Sequence, residues 1–309
     1  MSKRREIDLV QLADVLEKAT PWGRPSLKRL SSGNSSLNFK AEAGGLKYLV
    51  KMASKERIAH VAALLKDVKG PGVMKHLLDG AVLGFGDLDM VLLEWIGGHT
   101  IEAEDLGPQE IDSFVASYDG FSNALQLAKD VRPALDIAAM KDRLKSWKGA
   151  KCCPPLKILL SVPDSEIMAD EGSLRTIHGD LHFGNVHFES GKVVGFLDFE
   201  MARKGTKAED LMRGVAHRFE RLGPFAVSRR RRLMKAFGMI VERSGIPARA
   251  WLQAVDSYWL RKCVRRIEKS RFTPGAIIDL ALRSRLYVKM RAMLQKFQLK
   301  NNFCNPLDR

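Results

Sequence analysis

The stretch TIHGDLHFGNVHFESGKVVGFLDFE, Thr176 to Glu200, is the most informative part of the chain. His178-Gly179-Asp180 opens a polar loop. Val186–Phe188 and Lys192–Phe199 read as two β-strands joined by a turn at Glu189-Ser190-Gly191. Asn185 follows Asp180 by five residues and precedes Asp198 by thirteen. Folded as a hairpin, the strands bring Asn185 and Asp198 side by side, with Asp180 within reach on the preceding loop. Two carboxylates and an amide oxygen then share one small volume.

Phosphoryl transfer needs such a set. Metal ions must bridge phosphate oxygens, and a carboxylate must orient and deprotonate the attacking hydroxyl. Mg²⁺ prefers hard oxygen donors, which a carboxylate and an amide supply. On this reading Asp180 is the catalytic base, and Asn185 and Asp198 are metal ligands. The bland alternative is an ordinary loop and hairpin with incidental polar side chains.

HGDLHFGN followed by GFLDFE resembles the aminoglycoside phosphotransferase and choline kinase group of the protein-kinase-like superfamily. The two motifs agree with that group in residue type, order and spacing. The departures from protein kinases point to a small-molecule kinase. Gly179 stands where the general pattern has Arg, which usually pairs with a phosphorylated activation loop. Glu200 replaces the Gly of D-F-G, and no A-P-E follows. The resemblance implies ATP and Mg²⁺ as cofactors and a two-lobed α+β fold. Residues 1–20 form an N-terminal helix, 21–96 a small antiparallel β-sheet lobe that binds nucleotide, and 97–309 a larger, mostly helical lobe for catalysis and acceptor binding. His178 is expected to support the loop structurally, and His182 to be a hydrogen-bonded loop histidine.

The first third fits a nucleotide-binding lobe by pattern. Ile7–Ala19 reads as an amphipathic helix ended by Thr20-Pro21. Leu27–Leu30, Leu37–Ala43 and Leu46–Met52 read as strands. The Ser/Gly loop between the first two, with Ser32, Gly33, Asn34 and Ser35, would cover ATP phosphates with backbone N–H groups. Lys51 would pair the α- and β-phosphates and a helix glutamate. Lys47, on the same strand face, competes for that role. Glu56, in the helical stretch Lys55–Val68, is the nearest candidate partner for Lys51, although at only five residues away it reads better as a surface glutamate at a helix N-terminus. Val82–Phe85 and Asp89–Ile96 read as two more strands. Glu94-Trp95-Ile96 would be the hinge, where the backbone of Glu94 and Ile96 bonds adenine and apolar side chains sandwich the ring.

Beyond the hinge the pattern is helical over Ile111–Leu127 and Pro133–Trp147. Lys151–Pro163 reads as a connection, and Glu166–Leu174 as a short helix into the catalytic loop. Lys204–Ala208 is another connection, followed by helices over Ala208–Leu222, Ala226–Arg243, Ala248–Lys269 and Pro274–Lys300. In the resembled family an aspartate after the catalytic segment bonds the catalytic-loop backbone. Asp210 fits that place, or it is simply a residue near a helix N-terminus.

Hydrophobic residues make up 45% of the 309 and charged residues 28%, as in ordinary globular proteins. No apolar run reaches the ~18 residues of a membrane span. The basic N-terminus lacks the apolar core of a signal peptide. Cys152, Cys153, Cys263 and Cys304 lack zinc or redox spacing and read as reduced thiols of a cytoplasmic protein.

The net charge of +15 is uneven. Residues 203–309 hold 26 Lys or Arg against 8 Asp or Glu, whereas residues 1–202 hold 25 against 28. In the resembled family this last third lines the acceptor site. Kinases of cationic aminoglycosides or choline would be expected to present acidic residues there. The basic excess instead suits an anionic acceptor, small molecule or glycolipid, or peripheral contact with an anionic membrane at its inner face. Bacterial kinases of lipopolysaccharide-core sugars share the broad fold and have such an acceptor. Two alternatives stand beside this reading: an aminoglycoside- or choline-type kinase with an atypical surface, and a catalytically silent kinase-like protein binding RNA or membrane. Nucleic acid has no zinc-finger, helix–turn–helix or RNA-binding motif in its favour.

Overall fold

Alternating burial along Leu37–Ala53 builds the small lobe. The computed structural model describes residues 6–30, 36–70, 72–126, 131, 133–147, 154–167, 173–198, 201–222, 226–269 and 287–296. Five antiparallel strands, β1 (Ser26–Arg29), β2 (Leu37–Ala43), β3 (Leu46–Ala53), β4 (Leu83–Phe85) and β5 (Leu88–Glu94), form a sheet of order β1-β2-β3-β5-β4. Phe39, Ala41, Tyr48, Val50, Met52, Met90 and Leu92 point to one face, where Leu12 and Leu16 of helix α1 (Leu9–Ala19) cover them. Asp8 caps that helix by accepting from the Val10 and Gln11 N–H groups. The opposite face carries Lys51, Val91 and Leu93, and Val91 and Leu93 join the main core with α2 (Lys55–Asp67).

The larger lobe is mostly helical. It contains α3 (Pro108–Leu125), α4 (Ile137–Ser146), α5 (Pro154–Ser161), α6 (Asp164–Ile167), α7 (Lys207–Arg221), α8 (Val227–Arg243) and α9 (Ala248–Lys269). Phe114, Tyr118 and Phe121 of α3 pack their rings around Phe196, which anchors the hairpin in the core. The hairpin is β7 (Val186–Glu189) with β8 (Lys192–Phe196). Residues 287–296 are helical and bury Tyr287, Met290 and Leu294. Among the described residues no helix is long and apolar enough to cross a membrane.

Four elements differ from the sequence reading. Lys151–Pro163 contains helix α5 where a connection is expected; its two prolines open the first turn, where a missing N–H is harmless. Of the helix expected over Glu166–Leu174, residues 168–172 lie outside the described residues; a short helix covers Asp164–Ile167, and the approach to the catalytic loop is a strand, β6 (Arg175–Ile177). Its partner is β9 (Arg203–Gly205), inside the stretch read as a connection. The second hairpin strand ends at Phe196, three residues early, because Asp198 turns the chain with φ of +64°. Ser32, Gly33, Asn34 and Ser35 lie outside the described residues, as do Cys152, Cys153 and Cys304; Cys263 is buried.

Candidate active site

The loop after β6 is held from both sides by hydrogen bonds. Gly179 has φ of +74°, and a Cβ there would meet the Met201 carbonyl oxygen at 2.0 Å. Only glycine fits this approach, which accounts for its presence between His178 and Asp180. His178 is fully buried. Its Nδ1 accepts from the Asp180 N–H at 3.3 Å, so Nε2 carries the proton and donates to the Leu197 carbonyl at 2.6 Å. One imidazole thus ties the loop to the end of the hairpin.

Helix α7 supplies the second support. Thr206 caps it by accepting from the Glu209 N–H, so Asp210 is not the cap. Buried Asp210 accepts instead from the N–H groups of His178 (2.6 Å) and Gly179 (2.8 Å) and from the Tyr118 hydroxyl (2.9 Å). Two positions along the same helix face continue the contact. Arg213 donates from Nε to Asp180 Oδ1 at 2.6 Å, with Nη2 on the same oxygen, and His217 stacks on His182 with centroids 4.3 Å apart. Asp210, Arg213 and His217 are spaced i, i+3 and i+7, so one stripe of α7 follows residues 178–182. His182 itself caps the short 3-10 turn Phe183–Asn185, accepting from the Gly184 N–H.

Asn185 donates from Nδ2 to the Asp180 carbonyl at 3.1 Å, which leaves its amide oxygen available. Its own carbonyl accepts from the Leu197 N–H at 2.8 Å, setting it across from Asp198. Asp198 adopts the left-handed conformation, unusual away from glycine, and is paired with Lys51 Nζ at 2.6 Å. Lys51 is 5% exposed, whereas Lys47 sits exposed at the far end of the strand opposite Glu42. Glu56 is exposed in the first turn of α2, and Lys51 pairs with Asp198. Glu94 ends β5, where its N–H donates to the Lys75 carbonyl at 2.8 Å, and Ile96 packs against the core over Gly195. His99 and Phe188 exchange backbone hydrogen bonds at 2.9 and 2.8 Å, tying the segment after the sheet to the hairpin.

The electrostatics favour an ionised Asp180. Burial pushes its carboxyl up, but the Arg213 charge and hydrogen bonds outweigh this and hold it below the ordinary value. Burial, then His182, Arg221 and Arg213, bring His217 down to about 3, so the stacked histidines are neutral at pH 7. Arg213 is the residue that sequence reasoning missed. Its spacing of three from Asp210 was the available signal, since it places both on one helix face.

A family model described as the phosphotransferase enzyme family matches residues 26–239. The chain belongs to this family. It is therefore a phosphotransferase, of the kinase type that acts on hydroxyl groups. No curated protein matches it. Among solved structures, the phosphotransferase is similar to a thermostable mutant of aminoglycoside phosphotransferase APH(4)-Ia in ternary complex with ADP and hygromycin B. Identity is 14%, coverage 91% of this chain and 98% of that one, and the TM-score 0.61. It is also similar to the amicoumacin kinase hAmiN in complex with AMP-PNP, Ca²⁺ and Ami, at 15% identity, 89% and 92% coverage and TM-score 0.60. Spectinomycin phosphotransferase APH(9)-Ia, in complex with ADP and spectinomycin, gives 11% identity, 93% and 99% coverage and TM-score 0.60. At these identities the likeness establishes the two-lobed kinase-like fold of the phosphotransferase.

Proposed function

We propose that the chain transfers the γ-phosphoryl group of ATP, with Mg²⁺, to a hydroxyl of a small anionic acceptor. An acidic sugar of the lipopolysaccharide-core type is the substrate class in view. The observation that carries the reading is the convergence of Lys51 from the small lobe with Asp180, Asn185 and Asp198 at the two ends of the hairpin. The donor set fits a hard divalent cation. Asn185 commits its nitrogen to the loop and keeps its oxygen, while the Asp198 side chain remains 44% exposed. A divalent metal held by Asn185 and Asp198 would neutralise charge developing on the phosphoryl group in the transition state.

The protein's own groups supply the rest. Lys51 is fixed by Asp198 at the mouth of the small lobe, where it can meet phosphate oxygens. Ionised Asp180 accepts the acceptor hydroxyl's hydrogen bond and takes its proton as the phosphoryl group is transferred. Asp210 and His178 keep Asp180 in place by holding the loop backbone. Glu94 to Ile96 would offer backbone groups for adenine.

A cationic acceptor is the competing reading, since solved neighbours hold hygromycin B and spectinomycin. The charge around Asp180 favours the anionic one: Arg203, Arg213, Arg261 and Arg265 all act on this region. The test is the melting temperature with Mg-ATP, wild type against Asp198→Asn. A metal-dependent rise that shrinks in the variant supports the nucleotide site. No rise with ATP or GTP would sink the reading in favour of a silent scaffold.

A further inference from the structure

Arg213 offers more donors than Asp180 uses. It is 8% exposed, both Nε and Nη2 go to Asp180 Oδ1, and Nη1 is buried with no hydrogen-bond partner among the described residues. An unpaired guanidinium N–H in such a place has lost its water without gaining an acceptor, and it favours an incoming anion. Helix α9 packs against α7 and adds Arg261 and Arg265, one turn apart. Neither has an ion-pair partner among the described residues, while their neighbour Lys262 is neutralised by Glu220 at 2.8 Å. Burial first, then Arg265, Arg203 and Arg213, draw Arg261 down to about 9, and Asp180 offsets them only in part. Arg265 is lowered for the same reasons, burial first and then Arg213. Both also feel the Asp180 carboxylate, so they lie near it.

We infer that Arg213, Arg261 and Arg265 form an anion subsite beside Asp180, which takes a carboxylate or phosphate monoester carried by the acceptor. The inference rests on the proposed kinase reading and deepens it. Arg213 is the pivot, because one planar fork holds the base and presents Nη1 to the acceptor's anion. The phosphorylated hydroxyl must then lie within a few bonds of that anion on the same molecule. A neutral or cationic acceptor would leave Arg261, Arg265 and the Nη1 of Arg213 unmatched.

The test uses the full chain saturated with Mg-AMP-PNP, so that the nucleotide's own phosphate site is occupied, and titrates it with inorganic phosphate and with glucose 6-phosphate. Saturable binding is expected in the wild type, weakened at least ~10-fold in R261Q/R265Q and unchanged in R249Q, an exposed cation on the same helix. Glucose, which lacks the anion, is expected not to bind. Vesicles of phosphatidylglycerol that compete with glucose 6-phosphate would assign the anion to a lipid headgroup, and failure to compete would assign it to a soluble acceptor. If R261Q/R265Q does not fold, R265Q alone and the wild-type titration decide. Equal binding by R261Q/R265Q and wild type, equal loss in R249Q, or no saturation in the low-millimolar range overturns the subsite. Absence of an AMP-PNP thermal shift would count against the kinase reading, while the difference between R261Q/R265Q and R249Q would still judge the anion site.

Discussion

The arginines of α7 and α8 that face α3 and the turn before it differ sharply from those that face Asp180. On the first side, Arg218 grips buried Glu104 with paired hydrogen bonds of 2.7 to 3.0 Å, Arg232 meets Asp105 at 3.1 Å, and Arg243 meets Asp112 at 3.0 Å. On the second, Arg213, Arg261 and Arg265 share one carboxylate, that of Asp180. Among the described residues, these arginines of the basic last third therefore fall into two groups. One is neutralised by acids from the middle of the chain and holds helices together. The other keeps its charge and borders the proposed chemistry. Net charge over a segment says nothing about which cations have been used.

The strongest way to break this comparison is Asp180→Ala. Acceptor-dependent turnover should fall by about 10²–10⁴-fold with Mg-ATP binding retained, as expected for loss of a positioned base. Equal turnover would remove Asp180 from the scheme. Asp210→Ala should come next. It strands the His178 and Gly179 N–H groups and the Tyr118 hydroxyl in the core, at a cost of roughly 3 kcal/mol, readable in urea unfolding.

Arg218→Gln sharpens the other side. It leaves the buried Glu104 carboxylate without its guanidinium and should cost about 2 kcal/mol, with phosphate binding untouched. A lost anion titration in that variant would merge the two surfaces into one. The Asp180–Arg213 pair predicts a pH effect. The folded carboxyl is held below its unfolded value, so its stabilisation is present above the unfolded pKa of about 4 and is lost as pH falls through the folded one. Asp180→Asn should flatten that acid limb in thermal melts; an unchanged limb would mean the pair contributes nothing. The smallest effect is expected for Arg232→Gln. Its partner is exposed, and the change should stay within about 0.5 kcal/mol.

The sheet strands were legible because alternation and Gly or Asn turns specify β2, β3 and β5 within a residue or two. The hairpin was legible for the same reason, and with it the adjacency of Asn185 and Asp198. Strands β6 and β9 were not. Each is three residues long, and their pairing joins segments 28 residues apart, a contact no local pattern encodes. Helix α5 was hidden by two prolines, which mark a helix start as readily as a loop. Arg213 was hidden among many basic residues, because its meaning comes from the loop it touches.

By itself the sequence determined the kind of chemistry. Residue type and spacing over Thr176–Asp198 put two carboxylates and an amide on one loop and hairpin, and short-range geometry suffices for that. Only the tertiary structure decided how those groups are held and what they face. Lys51 reaches Asp198 across 147 positions of chain, Asp210 reaches His178 across 32, and Arg213 reaches Asp180 across 33. Charges at such separations acquire partners only when packing of the apolar faces brings the elements together, since burial fixes the helices and leaves the polar groups to pair with whatever lies opposite.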